Sequence, residues 1–479
     1  MKKPEDVSVS DKVPASAWKT LVILSCVGMI VMFDETMIIP AIPDFVEEFG
    51  VSYSASSWML SAYIIAAAVM TPIAGRLSDI HGQKKILLII IPIYLIGVLV
   101  GRFATNIEVM LFARAMQGVG MAMFPVAFGI IRTTIPEKKI ALAQTIFGST
   151  FPAGAIFGLV GGATIIQNYG WQTTFVAILP VATALWVIIW RFIPSSNQDK
   201  VENDEHVNKS LDLKGIFLLT VTIVTFLSAI TLLESKEAVY YVTSLFAVSA
   251  IFLFGFIFTE KRVKHPLLDL KLMANRNFLP PTLILLLVSL SIFSVYLTVT
   301  VMVRSPVPLG FGGDALKVAN IQLPFMLVFL VTTAISGFLL NKIRNYRIIL
   351  FGTSIATVGF FLLVLFHATE TSVMIGLTIL AVGLSLSIAG GFNVILVSVP
   401  MKVTGIALGM AMLLNLVGMS VGPVFAGVFQ DTYSRTIEGM SGTFPTETAY
   451  VAIFVSSTLI SLVSVVLSII INKKRTIQQ

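Results

Sequence analysis

Asp34 and Glu35 stand side by side in an otherwise apolar run that opens at Lys19. On a helix rising 1.5 Å per residue they lie roughly 22 Å beyond Lys19, deep in a membrane or in its outer half if this run crosses one. Ionisable groups so placed are costly and mark function by default. A carboxyl stripped of water holds its proton more firmly than one in solution, which brings proton uptake and release toward neutral pH. That is the chemistry a proton-coupled carrier needs. Consecutive helix positions point about 100° apart, so at most one of the pair aims squarely into a central cavity. The structural alternative is that one acid pairs with a nearby cation or meets water at the outer interface.

Arg114 is the second ionisable group within an apolar run, followed by Gln117 and Gly118. Its i, i+3 relation to Gln117 puts both on one helix face. Such a cation tunes a neighbouring acid or meets substrate; alternatively it snorkels to water from a position near the boundary. Gln144, Asn393 and Asn415 also fall in apolar runs, as candidate cavity-lining groups or as hydrogen-bond partners between helices. Gly75, Asp79, Gly82, Lys84 and Lys85 cluster in a short polar turn. They read as a gate whose charge pairs hold one conformation, or else as a solvated loop. Glycines Gly158, Gly161 and Gly162, and later Gly418 and Gly422 with Pro423, permit close helix approach and bending. Two rocking halves would use such helices, and generic close packing would produce the same pattern.

The elements that must carry these residues follow from composition. Of 479 residues, 56% are hydrophobic and 12% charged, with a mean hydropathy of +0.93. A soluble domain carries about 25% charged residues, so this chain must have an apolar solvent. A helix needs roughly 20 apolar residues to cross the hydrocarbon core. Runs of that kind fall near 19–41, 56–75, 86–104, 108–131, 140–166 and 172–193, then 215–234 and 239–258, then 278–302, 319–340, 347–367, 372–396, 404–428 and 448–471. They make fourteen spans, grouped six, two and six. The expected division is an N-terminal six-helix bundle over 1–193, a cytoplasmic linker with two inserted helices over 194–276, and a C-terminal six-helix bundle over 277–479.

Charge tests the count. With the N-terminus cytoplasmic and sides alternating, the 32 lysines and arginines fall on the inner side except Arg102, Lys236, Arg304, Lys317 and Arg435 outside and Arg114 within a span. Inner loops are expected to hold that excess, so the net charge of +7 is topological and gives no support to nucleic-acid binding. The expectation is a multi-pass protein of the cell membrane with both termini cytoplasmic. The single cysteine, Cys26, excludes an internal disulfide. No Gly-x-x-x-x-Gly-Lys-(Ser/Thr) loop, nucleophile elbow or metal-ligand spacing among His81, His206, His265 and His367 occurs, so neither an ATPase, an enzyme nor a metal protein is indicated. Gly75-Arg76-Leu77-Ser78-Asp79 has an echo in Gly337-Phe338-Leu339-Leu340-Asn341, each after the second span of a six-span half. Parallel-repeat transporters look this way in sequence, with the substrate between the halves.

The chain resembles the fourteen-span drug:proton antiporter branch of the major facilitator superfamily from about residue 19 to 471. Phe33-Asp34-Glu35-Thr36 running to Pro43 is similar to that branch's span 1 motif. Trp58, Ser61-Ala62-Tyr63 and Pro72 are similar to its second span. Gly75 to Lys85 resembles the superfamily's signature loop, and Arg114-Ala115-Met116-Gln117-Gly118-Val119-Gly120 its span 4 motif. His265-Pro266-Leu267-Leu268-Asp269-Leu270 with Asn275-Arg276-Asn277-Phe278 resembles the loop before span 9. By this resemblance Asp34 is the coupling acid, Arg114 its electrostatic partner, and Asp79 with Gly75 and Gly82 the cytoplasmic gate, with alternating access between two six-helix bundles. The chain departs from the pattern at Ile39, where the branch has Asn, and at Pro40, an added residue. It departs again at Ile80 and Gln83, where the signature loop has Arg, and at Phe157, where the span 5 motif associated with export has Pro before Gly158.

The expected function is therefore proton-coupled export of small hydrophobic compounds, cationic or neutral, by a monomer in contact with protons and membrane lipid, with no cofactor and no nucleic acid. A proton-coupled importer of a specific solute is the first rival. A non-transporting membrane receptor or accessory protein is the second.

Overall fold

The computed structural model describes residues 14–136, 139–193, 212–232, 239–263, 273, 275, 278–343, 345–398, 404–438 and 442–476. The chain is almost entirely helical there because an apolar solvent offers backbone groups no partner, and a helix satisfies its own. Thirteen of the described helical segments are long and apolar enough to cross a membrane. With the shorter apolar α9 they give the expected fourteen spans.

Span 1 is broken where the sequence predicts one continuous helix. α1 (Ala15–Met37) gives way to a 3-10 turn at Ile39–Ala41 and then to α2 (Ile42–Phe49). Pro40 and Pro43 lack the amide hydrogen an α-helical ladder needs, and each sits in the first turn of its new segment, where that loss is tolerated. α3 (Tyr53–His81) and α4 (Gln83–Arg102) follow. The polar turn expected around Asp79 is corrected here: the backbone stays helical through His81. Gly82, at φ 92°, is the one residue between α3 and α4. A left-handed φ of this kind favours glycine, which lets the chain reverse without a longer loop.

Span 4 is also interrupted, as α5 (Ile107–Gly118), a 3-10 turn at Val119–Ala122 and α6 (Met123–Thr134). α7 (Ile140–Tyr169) and α8 (Gln172–Phe192) complete the first bundle. The inserted pair is α9 (Leu213–Thr231) and α10 (Val239–Glu260); the second bundle comprises α11 (Leu279–Arg304), α12 (Ala315–Lys342), α13 (Asn345–Leu365), α14 (Glu370–Ser398), α15 (Thr404–Thr432) and α16 (Glu447–Thr476). A short antiparallel hairpin, β1 (Ser434–Thr436) with β2 (Thr443–Pro445), joins the last two helices. α12 runs helically through Gly337–Asn341 as α3 does through Gly75–Asp79. Most of the 194–214 linker lies outside the described residues, as does the 264–277 loop apart from Met273 and Asn275.

The same close approach is built twice. α7 lies on α1 through glycines: a Cβ on Gly158 would strike the carbonyl of Phe33, one on Gly162 would come within 2.6 Å of the Met37 carbonyl, and Gly161 faces the Phe33 ring. α15 lies on α11 in the same manner, with Gly418 against the Leu286 carbonyl and Gly422 against that of Leu290. Side-chain hydroxyls cross both seams, Thr36 Oγ1 donating to Ala155 O at 3.0 Å and Ser294 Oγ to Gly422 O at 2.9 Å. Van der Waals contact and such bonds hold helices together in lipid, where apolar burial supplies little drive. The named glycines thus bring together helices of one bundle. Pro423 lies within α15 beside Gly422.

The bundles meet along α3 with α15 and along α7 with α12. Ser61 Oγ on α3 donates to the Ser420 carbonyl on α15 at 2.6 Å. α9 covers that seam from outside through Ile223 and Leu227, packed with Ile65, Trp58 and Val417. α10 packs on α9, with Ser249 donating to Thr222 O at 3.0 Å. The remainder of α10 is largely exposed, as a lipid-facing helix must be.

Candidate functional site

The centre of the first bundle holds a buried cation. Arg114 and Gln117, one turn apart on α5, are both fully buried with Asp34 of α1. The Arg114 Nε donates to Met59 O of α3 at 3.1 Å, and its Nη1 donates to Gln117 Oε1 at 2.6 Å. Gln117 Nε2 in turn donates to Gly97 O of α4 at 3.1 Å. The guanidinium lies over the Tyr63 ring, 4.4 Å from its centroid, where the π-face attracts a cation. Tyr63 is fixed by its own hydroxyl, which donates to Val31 O at 3.1 Å. Three helices and one ring therefore hold Arg114, and it does not snorkel to water.

Asp34 meets this cation at 3.5 Å, from Arg114 Nη1 to Oδ2. That is longer than the usual 2.7–3.2 Å of an N–H···O bond, and the shorter bond from the same nitrogen goes to Gln117. Asp34 Oδ1 and Arg114 Nη2 have no hydrogen-bond partner, nor has the hydroxyl of Tyr94 nearby on α4. For a carboxyl in such a place two influences oppose one another: loss of water favours the protonated form, and the guanidinium favours the ionised one. Because neutral groups hold Arg114, it keeps its place whichever form Asp34 takes. The arrangement can bind and release one proton without rebuilding the cluster.

Glu35 is buried beside Asp34 but its Oε2 has no hydrogen-bond partner. Asn415 is an interhelical bonder, its Nδ2 donating to Ser289 Oγ of α11 at 2.5 Å. Asn393 is half-buried on α14, and the side chains of Gln144 and Asp79 lie outside the described part of the structure. Lys84 is half-buried and Lys85 exposed at the start of α4, and a Cβ on Gly75 would meet nothing within 4 Å. The structure thus brings together Asp34, Arg114 and Gln117, and places Asn415 and the α3–α4 junction around Gly82 outside that cluster.

A family model described as Major Facilitator Superfamily matches residues 24–423, which contain the Arg114 cluster and most of both bundles. The chain belongs to the major facilitator superfamily. It is a multi-pass membrane transporter of that superfamily, not an enzyme. Among curated relatives, "Multidrug transporter protein MdtP" of Bacillus subtilis is 27% identical over 352 residues, 73% of this chain and 63% of that protein, just under two thirds of its length. "Multidrug efflux pump LfrA" of Mycolicibacterium smegmatis is 23% identical over 94% of this chain and 88% of its own. Among solved structures, a bacterial homolog of the human lysosomal transporter Spinster, described as inward-facing and occupied, superposes with a TM-score of 0.67 at 15% identity, covering 95% of this chain and 97% of that one. The POT family transporter PepTSo gives 0.69 at 14% identity, covering 96% and 99%. Both show the fold.

The transporter also has a latch that the sequence reading passed over. It lies at the end of the bundles poor in lysine, where α2 and the α11–α12 connection meet. Asp44 of α2 pairs with Arg304 at the end of α11, across the two bundles. A second cross-bundle bond runs from the Tyr53 amide at the start of α3 to Asp431 Oδ1 of α15, at 2.9 Å. Beside the latch Trp171 Nε1 donates to Glu48 Oε2 at 2.6 Å, with the Phe45 ring tilted against the indole at 4.7 Å between centroids. Asp44, Arg304, Glu48 and Trp171 border a cleft of about 690 Å³ that also includes Asp314 and Gln172. At the opposite, lysine-rich end, a Cβ on Gly75 of α3, Gly148 of α7 or Gly409 of α15 would meet nothing within 4 Å. The sequence did carry a signal for the latch: an acidic run, Asp44 with Glu47 and Glu48, and Arg304 lie at the same end of span 1 and span 9, the corresponding helices of the two halves.

Arg304→Ala removes the cation of this latch, and the lysine-poor end should open more often. A cysteine at Thr300, fully buried one turn below, introduced in a Cys26→Ser background, should react with a membrane-impermeant thiol reagent several-fold faster in Arg304→Ala than with Arg304 intact. Equal rates would show that the ion pair does not hold the end closed.

Proposed function

We propose that this protein is a proton-coupled antiporter that exports small hydrophobic compounds, cationic or neutral, by alternating access. The single observation that carries this reading is the fully buried Asp34 held 3.5 Å from a fully buried Arg114 inside a superfamily transporter. A protein that carries no flux has no use for an ion pair whose desolvation is so expensive. Export of varied compounds is supported by relatives named as multidrug transporter and multidrug efflux pump.

The excess of lysine and arginine at one end supports placing that end, and both termini, in the cytoplasm of a cell-membrane monomer. In that orientation the latch closes the outer end, and the inner end is the one that admits substrate. Asp34 loads a proton from outside in one state and releases it inside in the other, and substrate moves against it. The Gly75–Lys85 segment, the end of α3 and start of α4 with Asp79, Gly82 and Lys84, is the element that closes the inner end when the latch opens. A proton-coupled importer is the second reading, favoured by Phe157 where the export-associated motif has Pro.

The test is reconstitution in liposomes holding a pH-sensitive dye, with an imposed proton gradient and a panel of lipophilic cations and neutral drugs. Antiport predicts that substrate addition moves protons opposite to the compound. Movement in the same direction would establish the importer, and no movement with any compound would overturn coupled transport.

A further inference from the structure

Gln430, near the end of α15, is fully buried, and among the described residues neither its Nε2 nor its Oε1 has a hydrogen-bond partner. Buried polar atoms are overwhelmingly paired, and each exception needs a reason. An amide carries donors and an acceptor together, so a side chain with no bonds at all forgoes both sets when water is excluded. Leucine or methionine would occupy a similar space without that cost. The reason for an amide here must lie in a conformation where its bonds are made.

The register of α15 fixes where this side chain points. Successive helix positions turn by about 100°. Ser420 and Asp431, about 20° apart around the axis on that turn, both accept bonds from α3. Gly422 lies against α11 and Val421 packs with α9. Gln430 falls about 80° from Ser420 and about 80° from Gly422, midway between the α3 and α11 faces and opposite Val421. It therefore points inward, between a helix of the first bundle and one of the second. The adjacent residue, Asp431, takes the cross-bundle bond from the Tyr53 amide at 2.9 Å. The Asp44–Arg304 pair closes the same end. Parting α3 from α15 at this end breaks the Tyr53 bond and brings water to the amide.

We propose that Gln430 is a release element for the lysine-poor end, unbonded while that end is closed and hydrated when it opens. An unmade bond that exists in only one of two states raises the free energy of that state alone, and so shifts the populations toward the other. Gln430 thereby opposes the Asp44–Arg304 latch. The ion pair favours closure, the dry amide favours opening, and their balance sets how often this end opens. The device needs neither a proton nor a substrate.

The test uses the purified full-length protein carrying Cys26→Ser and Thr300→Cys, in detergent. Residue 300 is fully buried in this conformation, so its reaction with a thiol reagent reports departure from the closed state. Gln430→Leu and Gln430→Met should each label about tenfold more slowly than the parent, the scale of one buried hydrogen bond left unmade. Gln430→Glu, which puts a charge in the same place, should label several-fold faster. Combined with Arg304→Ala, Gln430→Leu should slow the labelling that the lost ion pair speeds. Melting in the same detergent separates release from packing: a side chain that merely packs loses stability when replaced, whereas the two apolar variants should melt no lower than the parent. Labelling of both apolar variants at the parent rate or faster overturns the inference, as does a lower melting temperature in both. Slower labelling in Gln430→Glu, or a double variant as fast as Arg304→Ala alone, overturns it too. None of these measurements involves a proton gradient or a transported compound, so the antiport reading stands or falls separately on the liposome panel.

Discussion

Arg114→Leu should destabilise the protein by about 3–5 kcal/mol, the penalty of leaving a buried charge without its partner, and should abolish proton-coupled transport. Leucine fills much of the space but replaces none of the bonds. Asp34 loses the only cation within ion-pair distance among the described residues. Met59 O and Gln117 Oε1 lose their donors, and the Tyr63 ring loses the charge it covers. The double variant Asp34→Asn/Arg114→Leu removes the stranded charge, so it should melt well above Arg114→Leu alone while remaining inactive. Thermal melting of the four proteins in one detergent gives the coupling directly. Strictly additive losses would show that the two side chains do not form a unit.

Gly118→Val is the second large effect, and it is one of packing. Gly118 ends α5, and a Cβ there would overlap the Tyr63 carbonyl oxygen and lie 3.0 Å from the Ala66 Cβ. Overpacking typically costs about 1–3 kcal/mol and sometimes more. The obstacle here is backbone, which cannot rotate aside, so the upper part of that range is expected. α3 must move away from α5, and Tyr63 moves with it, off the guanidinium it now covers at 4.4 Å. Transport should fall with stability. Gly409→Val on α15, where a Cβ would meet nothing within 4 Å, should change the melting temperature little. If the two variants melt alike, the Gly118 contact is not a constraint on the site.

Much of the fold was legible because a span advertises itself by length and apolarity. All fourteen spans recur as helices, and the side-alternation of Lys and Arg agrees with their order. What was not legible is local. Pro40 and Pro43 marked a break in span 1, yet a continuous apolar run concealed it. Gly82 alone makes the α3–α4 reversal, so Asp79 belongs to helix backbone and not to a loop. At the site, Asp34 and Arg114 were recognisable as intramembrane charges and by their motifs, and Gln117 by its i, i+3 spacing. Tyr63 and the carbonyls of Met59 and Gly97 were not, because their contact with Arg114 depends on how α3, α4 and α5 cross. Arg304 was counted as an ordinary outer charge and Asp44 was not singled out, since opposite charges at matching span ends do not by themselves show that residues 260 apart pair. Asn415 shows the converse: an amide in a span suits a cavity and an interhelical bond equally, and its bond to Ser289 appears only when α15 is laid on α11.

The central claim, that Asp34 carries the coupled proton, is tested most directly by Asp34→Asn in liposomes read two ways. One assay follows substrate-driven proton movement; the other follows exchange of labelled for unlabelled substrate with no gradient. Asn keeps the size of the side chain and cannot ionise. The expected result is loss of proton movement with exchange preserved, because alternation between states needs a neutral residue at this position and coupling needs one that titrates. Proton movement at the unsubstituted rate in Asp34→Asn would contradict the account and place the coupling proton elsewhere.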